Sequence, residues 1–177
     1  MYLRLKSFCL VSTLMAVFML FNACGPSGPR GEYTRMTLDA YRSMQLGDWV
    51  LYDLSSRTGL MLKVSDVSND QVSITRLAYF STMPAKEGIT LDYRFDDIER
   101  NLSGGKDISG KIPTSDPRMG KETVFVAGQT FSCDVYTVKT PGGEIATYIS
   151  NEVPLEGVVM VKRNGVIIRS LKKFGRA

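Results

Sequence analysis

The spacing of apolar residues changes twice along the 177-residue chain. From Phe8 to Phe21 apolar side chains run almost without a break, interrupted only by Ser12 and Thr13. Between Thr34 and Leu46 the spacing becomes helical: Met36, Ala40, Tyr41 and Met44 fall on one stripe, and Gly47 stands where a left-handed C-cap is wanted. Beyond Gly47 the pattern turns to period two or to short apolar runs. Strands are expected over 48–54, 59–68, 71–80, 90–95, 122–127, 130–139, 144–150, 158–163 and 166–174. Residues 97–102 have room for one helical turn. Residues 103–120 are rich in Gly, Ser, Pro and Lys, and Pro113 and Pro117 make this stretch a long loop, suited to a lid or a partner contact. These elements predict a mainly β protein: a curved antiparallel sheet or partly open barrel of about nine strands, with one N-terminal helix.

Turn chemistry adds registers to the strands. Asn69-Asp70 reads as a hairpin turn of residues that tolerate positive φ, which sets Val67 against Val72 and Leu62 against Leu77. Gly128-Gln129 joins the next pair, and Pro141-Gly142-Gly143 turns the chain again. Pro154 and Gly157 bracket a corner. Asn164-Gly165 between two apolar runs is the strongest hairpin signal in the chain. In that last hairpin Val159, Val161, Val166 and Ile168 are expected on one face and Val158, Met160, Ile167 and Leu171 on the other, so burial on both faces is predicted.

The first apolar run is about 14 residues long. As a helix that is ~21 Å, short of a ~30 Å hydrocarbon core. Arg4 and Lys6 precede it with no acid nearby, which describes an export signal. Asn22-Ala23-Cys24 follows, then a Gly/Pro-rich stretch from Gly25 to Gly31. Here the chain resembles a bacterial lipoprotein signal, in which a small residue precedes an acylated cysteine that becomes the first residue of the mature protein. Phe21 replaces the usual leucine and Asn22 the usual small residue. An ordinary cleaved signal ending near a cysteine is the other reading. The resemblance implies a signal peptide over 1–23, lipidation at Cys24, a flexible tether over 24–33 and a single β-rich domain over 34–177. It also implies a bacterial envelope location, with Gly25 favouring the outer membrane. Two or three acyl chains on Cys24 would make the membrane a stable partner.

Removal of 1–23 leaves 20 basic against 18 acidic side chains, and their distribution is uneven. After Glu156 there is no acid, while Lys162, Arg163, Arg169, Lys172, Lys173 and Arg176 are all basic. Such an end could face anionic head groups or guard an edge strand. Near-balanced total charge and the lack of an aromatic-basic motif argue against nucleic acid. Of the three cysteines Cys9 leaves with the signal and Cys24 becomes a thioether, so Cys133 alone stays a thiol and no disulfide is expected.

The chain has no histidine. Imidazole-activated nucleophiles and imidazole metal ligands are therefore excluded. Asp96, Asp97 and Glu99 could hold calcium but lack the spacing of a calcium loop, and a solvated turn is the plainer reading. Gly105 to Lys111 has the spacing of a phosphate-binding loop, yet Ile112 replaces the magnesium-binding hydroxyl and Pro113 blocks the helix that should follow. Cys133 alternates with Phe131 and Val135 and is expected in the core. No catalytic, cofactor-binding or metal-binding residue is nominated. Trp49, Tyr52, Tyr79, Phe80 and Tyr93 are the candidate lining of an apolar pocket, with plain core as their other reading.

GDWVLYDL (47–54), ETVFVAGQTFSCDVYTV (122–138) and NEVPLEGVVMV (151–161) resemble strands and turns of small exported β-rich lipoproteins. More loosely they resemble the half-barrel of lipoprotein carriers, which holds acyl chains. The resemblance implies a lipid-anchored, non-enzymatic protein that binds an acyl chain, a lipid or a lipoprotein. An envelope protein-interaction module is the second expectation, and a histidine-free hydrolase the third.

Overall fold

A computed structural model describes residues 37–80, 83–84, 88–104 and 118–177. The signal segment, Cys24, the tether, the phosphate-loop-like stretch and most of the 103–120 loop lie outside the described residues. Among the described residues no helix is long and apolar enough to cross a membrane.

The elements run α1 (Leu38–Arg42), β1 (Trp49–Asp53), β2 (Thr58–Val67), β3 (Gln71–Phe80), β4 (Met83–Pro84), β5 (Ile89–Arg94), α2 (Phe95–Ser103), β6 (Arg118–Val126), β7 (Gln129–Thr140), β8 (Gly143–Ile149), β9 (Val158–Arg163) and β10 (Val166–Gly175). Nine of the strands have five residues or more; β4 is a two-residue bridge. All pair antiparallel in one curled, unclosed sheet of order β4-β3-β2-β1-β10-β9-β8-β7-β6, with β5 also on β3. The strands β1–β4 and β6–β10 are meanders; β5 pairs back on β3, and β1 pairs with β10, the contact that joins the two ends of the chain.

The curl has an identifiable source. Four bulges interrupt the ladders, with Ser65, Val159, Ile168 and Lys172 as the extra residues. Each inserted residue bends its strand and increases the local twist. The bulges also correct two expectations. Val67 does oppose Val72, but Ser65 shifts the ladder by one, so Leu62 opposes Arg76 and Leu77 opposes Met61. In the last hairpin Ile168 drops out of the pairing and Arg169, not Ile168, opposes Val161.

Both faces of β9 are buried from Val158 to Val161, as the apolar run predicts, whereas Val166 and Ile167 of β10 are exposed. Asn164 and Gly165 form the expected turn, at φ 50° and 78°. The preceding hairpin turns one residue earlier than expected, on Ala127 (φ 55°) and Gly128 (φ 80°), with Gln129 already paired to Val126. At Asn69-Asp70 neither residue takes positive φ; the turn is closed instead by Ser68, whose hydroxyl donates to Asp70 Oδ1 at 2.7 Å.

The inner face of the β1–β5 half carries Val50, Leu62, Val64, Val72 and Ile74, all buried. Burial of each such side chain contributes ~1.5–3 kcal/mol. Tyr41, Phe95 and Ile98 from the two helices, and Met44 just beyond the first, join the same cluster. The N-terminal helix is short: it is capped by Thr37 and ends at Arg42, four residues before the expected end. Gly47 (φ 95°) instead turns the chain into β1, its N–H donating to Val64 O. The longer helix is α2, where one turn was expected. It starts at Phe95 because Phe95 and Ile98 face the core one turn apart, while Asp96 and Asp97 sit in the first turn, where the helix dipole favours carboxylates.

Candidate functional site

The curled sheet creates two regions of opposite character, one closed and one open. The closed region lies on the inner face where β1, β3, β9 and β10 meet the corner 150–157. Register places Arg169 beside Val161, Thr147 and Tyr136 in one row across β10, β9, β8 and β7. The Arg169 guanidinium lies 3.8 Å from the centre of the Tyr52 ring and donates to Glu156 at 2.5 Å. The two side chains are only 8% and 15% exposed, so the pair is screened little by solvent. Glu156 reaches Arg169 because the corner is held tightly: Ser150 N–H donates to Gly157 O at 2.9 Å, and Leu155 and Gly157 both take positive φ.

Tyr93 and Tyr41 extend this cluster. Their rings lie 5.0 Å apart, and Arg76 donates to the Tyr93 hydroxyl at 3.3 Å. Burial raises the pKa of Tyr41 far above the phenol range, with Tyr93 and Glu156 adding to it. Burial also raises Tyr93, against the opposing pull of Arg76. These phenols stay neutral donors, and the cluster acts as a packed polar layer. The Oγ1 of Thr147, a fully buried residue, has no hydrogen-bond partner among the described residues.

The open region is a groove of about 560 Å³ on the other face. Its floor follows one row of the register, in which Asp53 opposes Ser170, Ser170 opposes Met160 and Met160 opposes Tyr148. The next row sets Lys162 against Ile167. Val124, Phe125 and Val126 at the end of β6 form the far wall, with Ala127 at the turn. Ala127 in the left-handed region costs on the order of 1 kcal/mol, and such local strain is often found beside binding sites. Phe125 is 73% exposed and Ile167 55%, so two large apolar side chains that line the groove face solvent.

The groove also carries charge. Lys172 Nζ donates to Asp53 Oδ1 at 3.0 Å, an exposed pair of small energetic weight. Lys162 Nζ lies 4.8 Å from the Tyr148 ring centre and donates to its hydroxyl at 3.1 Å. The Tyr148 hydroxyl in turn donates to Glu122 Oε2 at 3.1 Å. Lys162, which lines the groove, is therefore fixed in place by Tyr148.

The five aromatic residues named from the sequence do not gather around one space, and none lines this groove. Tyr52 and Tyr93 belong to the closed polar layer. Trp49 is half-buried at the start of β1, so close to Gly175 that any side chain there would strike its indole ring. Tyr79 is half-buried, with its hydroxyl 3.5 Å from the Met61 sulfur, and Phe80 is exposed. Cys24 lies outside the described residues. Cys133 is buried, and desolvation pushes its thiol up to about 11, with Glu152, Asp134 and Glu122 adding to the rise. It is an inert core thiol. Asp96 and Asp97 pair with Arg94 (3.4 Å) and Arg100 (2.9 Å) on the exposed side of α2.

The residues that build the groove were missed because they come from distant parts of the chain. The exposed Phe125 and Ile167 look like core residues in their strand patterns. The basic C-terminal run was noticed, but nothing in it separates Lys162 and Lys172 from their neighbours. No family model, curated protein or solved structure matches the chain.

Proposed function

We propose that this is a lipid-anchored protein of the bacterial envelope that holds a fatty-acyl chain without transforming it, and that the groove between β6 and β10 is where the chain lies. The observation that carries this reading is that Phe125 of β6 and Ile167 of β10, both exposed, line a groove of about 560 Å³. Large apolar side chains that flank a concave surface mark an interaction site, and the volume falls within the ~300–1,000 Å³ of small-molecule clefts. Val124, Val126, Met160 and Leu171 supply the apolar lining between them. Anchorage at Cys24 would keep the groove within a short tether of the bilayer that supplies acyl chains.

The test is metabolic labelling of the full chain with a palmitate analogue carrying a photoreactive diazirine. Before irradiation the label is expected on Cys24 alone and lost in Cys24→Ser. After irradiation it is expected also on the segments that carry Phe125 and Ile167, and is lost there in the Phe125→Ser, Ile167→Ser double variant. Absence of the light-dependent label from both segments would remove the groove from the function. Absence of the dark label from Cys24 would remove the anchor.

One observation favours a second reading, an envelope protein-interaction module. Strand β6 is a terminal strand of nine residues, with its outer backbone edge unpaired among the described residues. Such an edge can add an extended segment of another protein. Under this reading a proline at Thr123 abolishes partner capture while light-dependent acyl labelling persists.

A further inference from the structure

We infer that the chain held in the groove carries an anionic head group, a carboxylate or a phosphate, and that Lys162 and Lys172 read it. This inference rests on the acyl-binding reading of the groove and adds the chemistry at the end of the chain.

The two ammonium groups are placed differently from the other basic residues of the C-terminal run. Arg169 is turned inward by the Ile168 bulge and is committed to Glu156. Lys162 and Lys172 lie on the groove itself, beside its apolar lining. Lys162 lines the groove and is oriented by Tyr148, which lowers the ordering cost of binding. Among the described residues Lys172 is held by Asp53 alone, and both partners are about half exposed. An incoming anion can therefore take over the ammonium from Asp53 at little cost.

The charges of the lining residues are Lys162, Lys172 and Asp53, one positive charge in excess. Binding a monoanion makes the groove neutral. A neutral head group would leave Lys172 on Asp53 and gain nothing from the lysines. Apolar contact supplies the affinity for the tail, and charge-assisted hydrogen bonds distinguish the head. The occupant that fits is a single-chain anionic amphiphile.

The experiment uses the full chain in isolated membranes and three photoreactive probes of equal chain length: dodecanoate, dodecyl phosphate and dodecyl maltoside. Labelling is read by mass spectrometry on the segments that carry Phe125 and Ile167. The two anionic probes are expected to label the groove about tenfold more strongly than the maltoside, the scale of one charged hydrogen bond. Lys162→Gln with Lys172→Gln should remove that preference and leave maltoside labelling unchanged. Asp53→Asn should raise anionic labelling roughly twofold by freeing Lys172. Stronger labelling by the phosphate than the carboxylate would place the ligand among phospholipid derivatives, and the reverse among free fatty acids. Equal labelling by all three probes would overturn the head-group inference while the acyl-binding reading stands. No labelling of the groove by any probe would overturn both.

Discussion

The closed layer around Arg169 and the open groove around Phe125 invert the usual rule in opposite directions. In the first, an ion pair and several phenols are buried; in the second, Phe125 and Ile167 face water. Both belong to one sheet and share strands β9 and β10. What separates them is commitment. Every charge named in the closed layer has a neighbour that fixes it, and the corner 150–157 is locked in place by Glu156. The groove has apolar side chains exposed to solvent and a lysine whose partner can be displaced. The closed layer can be read as architecture and the open groove as the place where something binds.

The sharpest way to break this contrast is to open the closed layer. Glu156→Ala leaves the Arg169 guanidinium buried without its carboxylate. The expected cost is ~3–5 kcal/mol in chemical denaturation, because the buried guanidinium keeps its desolvation penalty and loses the carboxylate that offsets it. Replacing both partners with apolar residues, Glu156→Leu with Arg169→Met, should recover most of that loss. If Glu156→Ala changes stability by less than about 1 kcal/mol, the layer is wet and the distinction between the two regions fails.

A smaller effect of opposite sign is expected at Thr147. Its hydroxyl is buried without a hydrogen-bond partner among the described residues, so Thr147→Val should stabilise the protein by about 1 kcal/mol, measured by the shift of the denaturation midpoint. A loss of stability would mean that the hydroxyl binds something on the inner face, and that the closed layer is itself a site.

The smallest effect belongs to the groove. Phe125→Ser with Ile167→Ser should alter stability by no more than about 0.5 kcal/mol, since both side chains already face solvent. A drop of several kcal/mol in the same denaturation series would show that the two side chains serve packing, and would return the groove to ordinary architecture.

Much of the sheet was legible from alternation. Strand positions and the Asn164-Gly165 turn follow from local chemistry, because a two-residue turn with positive φ selects Asn and Gly whatever the rest of the fold does. The Ala127-Gly128 turn was misplaced by one residue because alanine gives no signal of a left-handed position. Helix α2 was underestimated because a single strand-like stretch, LDYRF, runs into it. Strict alternation places Ile168 inward, and the bulge puts Arg169 there instead. Nothing in Val166-Ile167-Ile168 announces a bulge, since any of these residues could be the extra one.

The sequence by itself determined a mainly β chain of about nine strands, its main turns, a histidine-free composition and a C-terminal run without acids, because each of these is a property of neighbouring residues. The tertiary structure decided which charges went inside and which apolar groups stayed out. Burial is set by the sum of four one-residue bulges and by the pairing of β1 with β10, and that pairing joins residues more than a hundred positions apart. A shift of one residue in any strand exchanges its two faces, so the inner position of Arg169 and the outer position of Ile167 were fixed only when the whole sheet curled.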